Sequence, residues 1–194
     1  MTGIILAGGK NSRIGKNKAF LEIAGERLID QTIRIFRQLF PEVILVTNEP
    51  HLYLNQDVTL VTDIYKEKGP LGGLYAGLFY ASFEKAFLSA CDMPYLNIEF
   101  IRYMMERAEG YDIVIPETSE GYFPVHAVYS RRCLPSIKGL LIKNRLKMTG
   151  CFKGARVLFI PESVIKSYDP EEKMLLNINT DQDLQQVLAI QRKI

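Results

Sequence analysis

The chain has 194 residues, of which 47% are hydrophobic and 24% charged, a balance typical of a globular protein rather than a disordered or fibrous one. Its 24 Lys and Arg against 22 Asp and Glu leave a formal net charge of +2, too small an excess to drive nucleic-acid binding by counterion release. The apolar runs are too short to span a membrane, no secretory signal is evident, and the 3 cysteines indicate no disulfide framework. We therefore expect a cytoplasmic protein that binds neither nucleic acid nor membrane.

Short apolar runs alternate with helical patterns along the chain, and Gly or Pro residues separate them. In chain order they predict a strand over Thr2–Ala7, a helix over Leu28–Phe40, strands over Val43–Thr47 and Thr59–Thr62, a helix over Leu74–Phe83, a strand over Ala86–Ala90, a helix over Ile98–Ala108, strands over Ile113–Ile115, Val125–Tyr129 and Val157–Ile160, and a closing helix over Leu184–Gln191. This alternation predicts βαβ units, a mostly parallel sheet and a single α/β domain over residues 1–194.

The unusual residues of the chain follow the predicted strands. In a parallel α/β sheet, ligands bind beyond the carboxyl ends of the strands. The loops after Ala7, Thr47, Thr62 and Ala90 therefore meet at one edge of the sheet, where we expect a binding site.

The first of these loops carries paired glycines and two cations. Leu6-Ala7-Gly8-Gly9 leaves the first strand, and its glycines would let backbone N–H groups approach a ligand closely. Arg13 and Lys18 add positive charge that suits phosphate oxygens. The spacing excludes a Walker A loop and the G-x-G-x-x-G fingerprint. A solvated basic turn is the alternative, but glycines together with two cations favour an anion site.

A second glycine-rich segment, Gly69-Pro70-Leu71-Gly72-Gly73, precedes the predicted helix that starts at Leu74. It would allow another close backbone approach at a helix N-terminus, which favours polar or anionic groups. Taken alone, the segment is better explained as a tight connection between strand and helix that needs small residues for packing. Asp63 ends the strand before this segment, where an acidic residue is more often a cap or a solvated carboxylate.

A carboxylate follows the strand Ala86–Ala90 at the same predicted edge. Asp92 is well placed to hold Mg²⁺, which binds through one or two carboxylates plus substrate phosphates. A helix-capping role fits Asn97 better, because Asp92 lies too far ahead of the helix. A nucleophilic Cys91 with His126 as base is disfavoured, since Cys91 continues an apolar strand and buried cysteines are usually inert.

Two amides lie near the end of the chain, at Asn177 and Asn179. A strand exit followed by a helix cap at Thr180 or Asp181 accounts for this segment. The alternating amides are also suited to orienting a polar ligand.

Taken together and in this order, five motifs resemble the molybdenum cofactor guanylyltransferase family, within the wider group of Rossmann-like nucleotidyltransferases. They are Leu6-Ala-Gly-Gly-x-x-x-Arg13-x-Gly-x-x-Lys18, Gly69-Pro-Leu-x-Gly73, Asp92-x-Pro94-x-Leu96, Pro124-x-His-Ala-Val-Tyr129 and Asn177-x-Asn179-Thr. The first motif alone indicates only the wider group, whereas the ordered set is more specific. The resemblance implies a three-layer α/β/α fold with a Rossmann-like, mostly parallel central sheet.

The resemblance also implies roles for individual residues. GTP would be bound by Leu6, Ala7, Gly8, Gly9, Lys18, Asn48, Asp63, Gly72 and Asp92; Arg13, Lys18 and Asp92 would serve catalysis; and Asp92 would hold the metal, Mg²⁺. The chain departs from the family pattern at Ile14, Asn17 and Asp181, and only Asn17, in place of an Asp, removes a carboxylate.

The implied reaction is transfer of GMP from GTP to molybdopterin with release of pyrophosphate. The attacking atom is an oxygen of the pterin's own phosphate, so no side-chain nucleophile or base is required. A molybdopterin cytidylyltransferase, a sugar-phosphate nucleotidyltransferase and a non-catalytic nucleotide-binding regulator remain alternatives. Molybdenum-cofactor insertion proteins or apo-molybdoenzymes are the expected protein partners.

Overall fold

The structure is a computed structural model and describes residues 1–8 and 18–191. The described residues form a large mixed sheet, a small hairpin and α-helices on both faces of the large sheet. The strands are β1 (Thr2–Leu6), β2 (Glu22–Ile23), β3 (Glu26–Arg27), β4 (Glu42–Val46), β5 (Thr59–Val61), β6 (Lys85–Ala90), β7 (Ile113–Thr118), β8 (Gly121–Tyr122), β9 (His126–Ser130) and β10 (Val157–Pro161). The helices are α1 (Leu28–Leu39), α2 (Gly69–Tyr80), α3 (Ile98–Glu106), α4 (Leu134–Ile142), α5 (Glu162–Tyr168) and α6 (Asp181–Gln191).

The large sheet has the strand order β10-β7-β9-β6-β1-β4-β5, and β8 pairs with β7. Strand β1 lies between two parallel neighbours, with Leu6 beside Val46 of β4 and Ala90 of β6. Strand β9 runs antiparallel to both β6 and β7. The link from β7 to β9 is too short for a parallel crossover, which explains this reversal. The pairs of the large sheet that involve neither β8 nor β9 are parallel, so the prediction of a mostly parallel sheet is confirmed.

Two apolar clusters sandwich the sheet between helical layers. Helices α1, α3 and α5 cover one face, where Ile29, Ile33 and Phe36 of α1 join a cluster with Ile5 of β1. Helices α2 and α4 cover the other face, which receives Ile4 of the same strand. Successive residues of β1 thus point to opposite layers, as the pleat of a strand requires. The predicted α/β/α layering is confirmed.

Helix α6 lies apart from these two layers. Val187 of α6 packs against Ile23 and Leu28, at the small β2–β3 hairpin and the start of α1. None of the helices in the described ranges has the length and apolar character that crossing a membrane demands.

Several predicted boundaries were wrong. Helix α2 begins at Gly69 rather than Leu74, so the glycine-rich segment forms its first turn. Pro70 is tolerated there because the first N–H groups of a helix have no partner within it. Helices α4 and α5 were missed; α4 has a proline, Pro135, in its first turn, and α5 has only 7 residues. The cap on α3 was correct, since Asn97 Oδ1 accepts the Phe100 N–H at 3.0 Å.

Two helix glycines provide a test of packing between α2 and the sheet. A Cβ on Gly77 would lie 2.6 Å from Ile4 Cγ2 in the buried core, whereas a Cβ on Gly139 of α4 would meet nothing within 4 Å. We expect Gly77→Ala to lower the free energy of unfolding by about 1–3 kcal/mol through overpacking. Gly139→Ala should instead raise it by about 0.5–1 kcal/mol through helix propensity. Urea unfolding of both variants measures the difference, and equal effects would contradict this packing.

Candidate active site

Strands β6, β1, β4 and β5 run parallel and end at one edge of the sheet. Backbone hydrogen bonds continue past the strand ends: the Ala7 N–H donates to the Val46 carbonyl at 2.9 Å, and the Cys91 N–H to the Leu6 carbonyl at 3.0 Å. The segments that carry the predicted site residues are therefore held by the same ladder that builds the sheet. The polar side chains form two groups, one after β6 and one after β4 and β5.

The first group joins three distant parts of the chain at Lys18. Its ammonium Nζ lies 3.4 Å from Asp92 Oδ2 and donates a hydrogen bond of 2.9 Å to Asn179 Oδ1. The backbone ties the same segments, because the Ile178 N–H donates to the Asp92 carbonyl at 2.9 Å. The amide segment that the sequence left undecided thus meets the predicted cation and carboxylate.

Asp92 is a largely buried carboxylate, with a side chain 18% exposed. Burial raises its pKa above the ordinary range, and the neighbouring Lys18 opposes that shift only in part. Within the described ranges, the second carboxylate oxygen, Oδ1, is buried and has no hydrogen-bond partner. A buried oxygen of this kind is an acceptor suited to a cation.

The donor set near Asp92 fits Mg²⁺ in one specific way. The described residues contain no cluster of three or more His, Cys, Asp or Glu side chains that could hold a metal ion by themselves. Mg²⁺ does not need one, since it commonly binds through one or two carboxylates and takes its remaining ligands from water and substrate phosphates. Asp92 Oδ1 therefore suits a magnesium ion that arrives together with a phosphate-bearing substrate.

The second group is an amide–carboxylate pair. Asn48 Nδ2 donates to Asp63 Oδ2 at 2.8 Å, and the Asp63 N–H donates back to Asn48 Oδ1 at 3.3 Å. Burial raises the pKa of Asp63, and the hydrogen bond from Asn48 works against that shift. A Cβ on Gly73 would lie 2.8 Å from Leu6 Cδ2 and 3.7 Å from Asp63 Oδ1, so a glycine there lets α2 approach this pair.

A cleft of about 890 Å³ opens above this pair, within the usual range of small-molecule sites. It is lined by Leu6, Gly8, Val46, Thr47, Asn48, Glu49, Thr62, Asp63, Lys66, Glu67, Gly69, Pro70, Gly73 and Leu146. Asp92 and Lys18 are not among the lining residues, so the Lys18–Asp92–Asn179 group and the cleft are distinct parts of the same sheet edge.

The structure brings most of the predicted site residues to this edge. Ala7 is buried in the ladder beside the cleft, and Gly9 and Arg13 lie outside the described residues. Gly72 does not line the cleft: its Cβ would lie 2.9 Å from Lys68 Cβ and 3.0 Å from the Tyr65 carbonyl oxygen, so it serves packing of the turn before α2. Sequence reasoning missed Leu146, which no motif marks.

The Cys91–His126 alternative does not fit the structure. Burial raises the pKa of the Cys91 thiol to about 12, so the thiolate is not available at neutral pH. His126 is fully buried, with its ring 5.1 Å from that of Phe87 and 6.0 Å from that of Phe100. Burial lowers the pKa of His126 to about 3, which keeps the imidazole neutral. Both side chains are core residues.

The chain is similar to known proteins over most of its length. Residues 3–152 match the family model of the MobA-like NTP transferase domain. The chain belongs to the MobA-like NTP transferase family. It is 38% identical over 191 residues to a molybdenum cofactor guanylyltransferase of Desulfosudis oleivorans, covering 97% of this chain and 95% of that relative. It is also 36% identical over 183 residues to a probable molybdenum cofactor guanylyltransferase of Pelotomaculum thermopropionicum, covering 94% and 89% of the two chains.

A solved member of this fold gives the same architecture. Molybdopterin-guanine dinucleotide biosynthesis protein A from Archaeoglobus fulgidus superposes with a TM-score of 0.86 over 100% of both chains at 24% identity. The MobA-like fold is thereby shown, and the family predicted from the five motifs is confirmed.

Asp92 and Asp112 form a matched pair for a stability test. Because burial raises the pKa of Asp92, this carboxyl lowers the stability of the fold as the pH rises from its unfolded pKa to its raised folded pKa, and the full cost is present above the latter. Hydrogen bonds from Arg156 lower the pKa of Asp112 to about 2, so its stabilisation is present above the unfolded pKa and is lost as the pH falls towards 2.

At pH 7 we expect Asp92→Asn to leave the Tm unchanged or raise it. Asp112→Asn should lower the free energy of unfolding by only about 1 kcal/mol, because its partner Arg156 is half exposed. For a chain of this size, that loss lowers the Tm by about 2–4 °C. Thermal unfolding followed by circular dichroism measures both variants. A loss for Asp92→Asn as large as that for Asp112→Asn would contradict the account of Asp92.

Proposed function

We propose that this protein transfers GMP from GTP to molybdopterin, releasing pyrophosphate and forming the guanine dinucleotide form of the molybdenum cofactor. The observation that carries this assignment is the 38% identity, over nearly the full length of both chains, to a molybdenum cofactor guanylyltransferase. The site supports it, because the Lys18–Asp92–Asn179 group lies at the sheet edge that also carries the cleft.

The proposed reaction needs no protein nucleophile. An oxygen of the molybdopterin phosphate, ionised at neutral pH, forms a bond to the α-phosphorus of GTP. The bond from that phosphorus to the oxygen bridging to the β-phosphate breaks, and the electron pair leaves with pyrophosphate. The inert Cys91 and His126 are consistent with such chemistry, in which the protein supplies positioning and charge neutralisation.

The catalytic roles fall to the first polar group. Lys18, held by Asp92 and Asn179, would neutralise phosphate charge, and Arg13 would act beside it. Asp92 would hold Mg²⁺ through its unpartnered oxygen. When bound, the ion would stabilise the charge that develops on the transferring phosphates.

The nucleotide roles fall to the first loop and the cleft. Backbone N–H groups of Gly8 and Gly9 would approach the phosphates, while Leu6 and Ala7 would hold this segment at the strand end. Gly72 would serve indirectly by letting the turn before α2 pack closely. The pair Asn48 and Asp63 offers amide and carboxylate groups for polar atoms of the nucleoside. GTP and molybdopterin are then the substrates. Hand-over to molybdenum-cofactor insertion proteins or apo-molybdoenzymes, and a cytoplasmic location, stay predictions.

The base preference is the sharpest test of this function. We expect GTP to exceed CTP and ATP in kcat/KM by up to about 10⁴-fold, because a site that hydrogen-bonds one base leaves buried polar groups unpaired with another. Pyrophosphate release with molybdopterin and each ribonucleoside triphosphate measures the preference. Equal values for GTP and CTP would overturn the guanine preference, and a preference for CTP would favour a cytidylyltransferase. No release with any of them would favour a nucleotide-binding regulator.

Lys18 provides the test of charge neutralisation. Lys18→Ala should lower kcat about 10²–10³-fold, by analogy with the loss of one preorganised oxyanion donor. The matched control is Lys166→Ala, which removes an exposed lysine paired with Glu162 on α5, and it should keep kcat. A Lys18→Ala protein with a lowered Tm and normal kcat would show that Lys18 is structural.

A further inference from the structure

One wall of the cleft comes from a remote part of the chain. Every lining residue in the described ranges lies between positions 6 and 73 except Leu146. Leu146 belongs to the segment of residues 143–147 that follows α4, which we term the α4 loop. Leu146 remains 36% exposed. It is the one apolar residue of this loop, whose other members are Lys143, Asn144, Arg145 and Lys147.

Backbone hydrogen bonds fold the α4 loop onto the end of its own helix. The Asn144 N–H donates to the Leu141 carbonyl at 3.1 Å, and the Arg145 N–H to the Leu140 carbonyl at 2.9 Å. Asn144 adopts a left-handed conformation with φ of 53°, which Asn tolerates better than most residues. The helix end thus determines where Leu146 lies.

A side-chain hydrogen bond ties the α4 loop to the start of α2. Lys68 Nζ donates to Asn144 Oδ1 at 2.9 Å. Lys68 immediately precedes α2, whose first residues Gly69 and Pro70 line the cleft. A Cβ on Gly72 would lie 2.9 Å from Lys68 Cβ, so a glycine there leaves room for Lys68 beside the first turn of the helix. The bond therefore links the two walls that Leu146 and α2 contribute.

Which part of a bound nucleotide Leu146 faces depends on where the phosphates of that nucleotide lie. The Lys18–Asp92–Asn179 group suits phosphates but does not line the cleft, whereas the amide–carboxylate pair of Asn48 and Asp63 does. On the proposed function, the nucleoside then occupies the cleft, with the polar edge of the base towards Asn48 and Asp63. A flat base has two apolar faces as well as a polar edge, and an exposed leucine is suited to cover one of them.

We propose that Leu146 packs against the base of the bound nucleotide, and that the Lys68–Asn144 hydrogen bond holds the α4 loop in place for this contact. The inference rests on the proposed function, since it takes GTP as the ligand of the cleft. Leu146 is then a binding residue, and Asn144 a positioning residue that acts through it.

The test compares the binding of GTP and GMP, because a base contact is common to both whereas a phosphate contact is not. By calorimetry, Leu146→Ala should weaken both ligands by the same factor, about tenfold, which is about 1.4 kcal/mol. Leu146→Met, which keeps an apolar side chain of similar volume, should restore most of the affinity. Asn144→Ala should weaken both ligands by a smaller common factor and raise KM for GTP without lowering kcat.

Ile142→Ala is the control, since Ile142 is a 67% exposed apolar residue at the end of the same helix and does not line the cleft. It should bind both nucleotides like the unmodified protein. Unchanged affinity in Leu146→Ala, or weakening of GTP alone, would overturn the inference while leaving the proposed function intact. An unmodified protein that binds neither GTP nor GMP would overturn the proposed function and this inference with it.

Discussion

The position of strand β1 is the constraint on which the rest of the site depends. It is buried on both faces and hydrogen-bonded to a parallel neighbour on each side, with Leu6 in register with Val46 and Ala90. Such a strand cannot shift by one residue without exchanging its two apolar faces. Its end therefore lies at a fixed point between the amide–carboxylate pair after β4 and β5 and the Lys18–Asp92–Asn179 group after β6. Both polar groups take their spacing from the sheet.

The Asp92 environment shows how this rigid frame is used. A carboxylate with a buried, unpartnered oxygen is unfavourable for the folded protein taken alone. Two other segments nevertheless hold Asp92 in place. The Ile178 N–H donates to its backbone carbonyl, and Lys18 pairs with its carboxylate. The fold thus carries a buried acceptor suited to a cation, and unfavourable groups of this kind are common at sites where function costs stability.

How much the sequence could predict depended on how local each signal was. Short apolar runs bounded by glycines located the strands, and Asn97 marked the start of α3, because burial and capping act within a few residues. Asp92 and Lys18 were identified from motifs, but only the fold shows that Asn179, 161 residues from Lys18, completes their group. Leu146 carries no local signal, since its position depends on the packing of α4 beside α2. The start of α2 was misplaced because three glycines in a first turn also suit a loop.

The family match ends at residue 152, yet the last part of the chain is built into both the sheet and the site. Strand β10 pairs in parallel with β7 and forms the outermost strand on that side of the sheet. Ile178 and Asn179 lie beyond the same boundary and hold Asp92 and Lys18, and Val187 of α6 packs onto the β2–β3 hairpin that follows Lys18. The C-terminal segment therefore works as a clasp: it adds the outer strand of the sheet and, further along, fastens the Lys18 segment to the loop after β6.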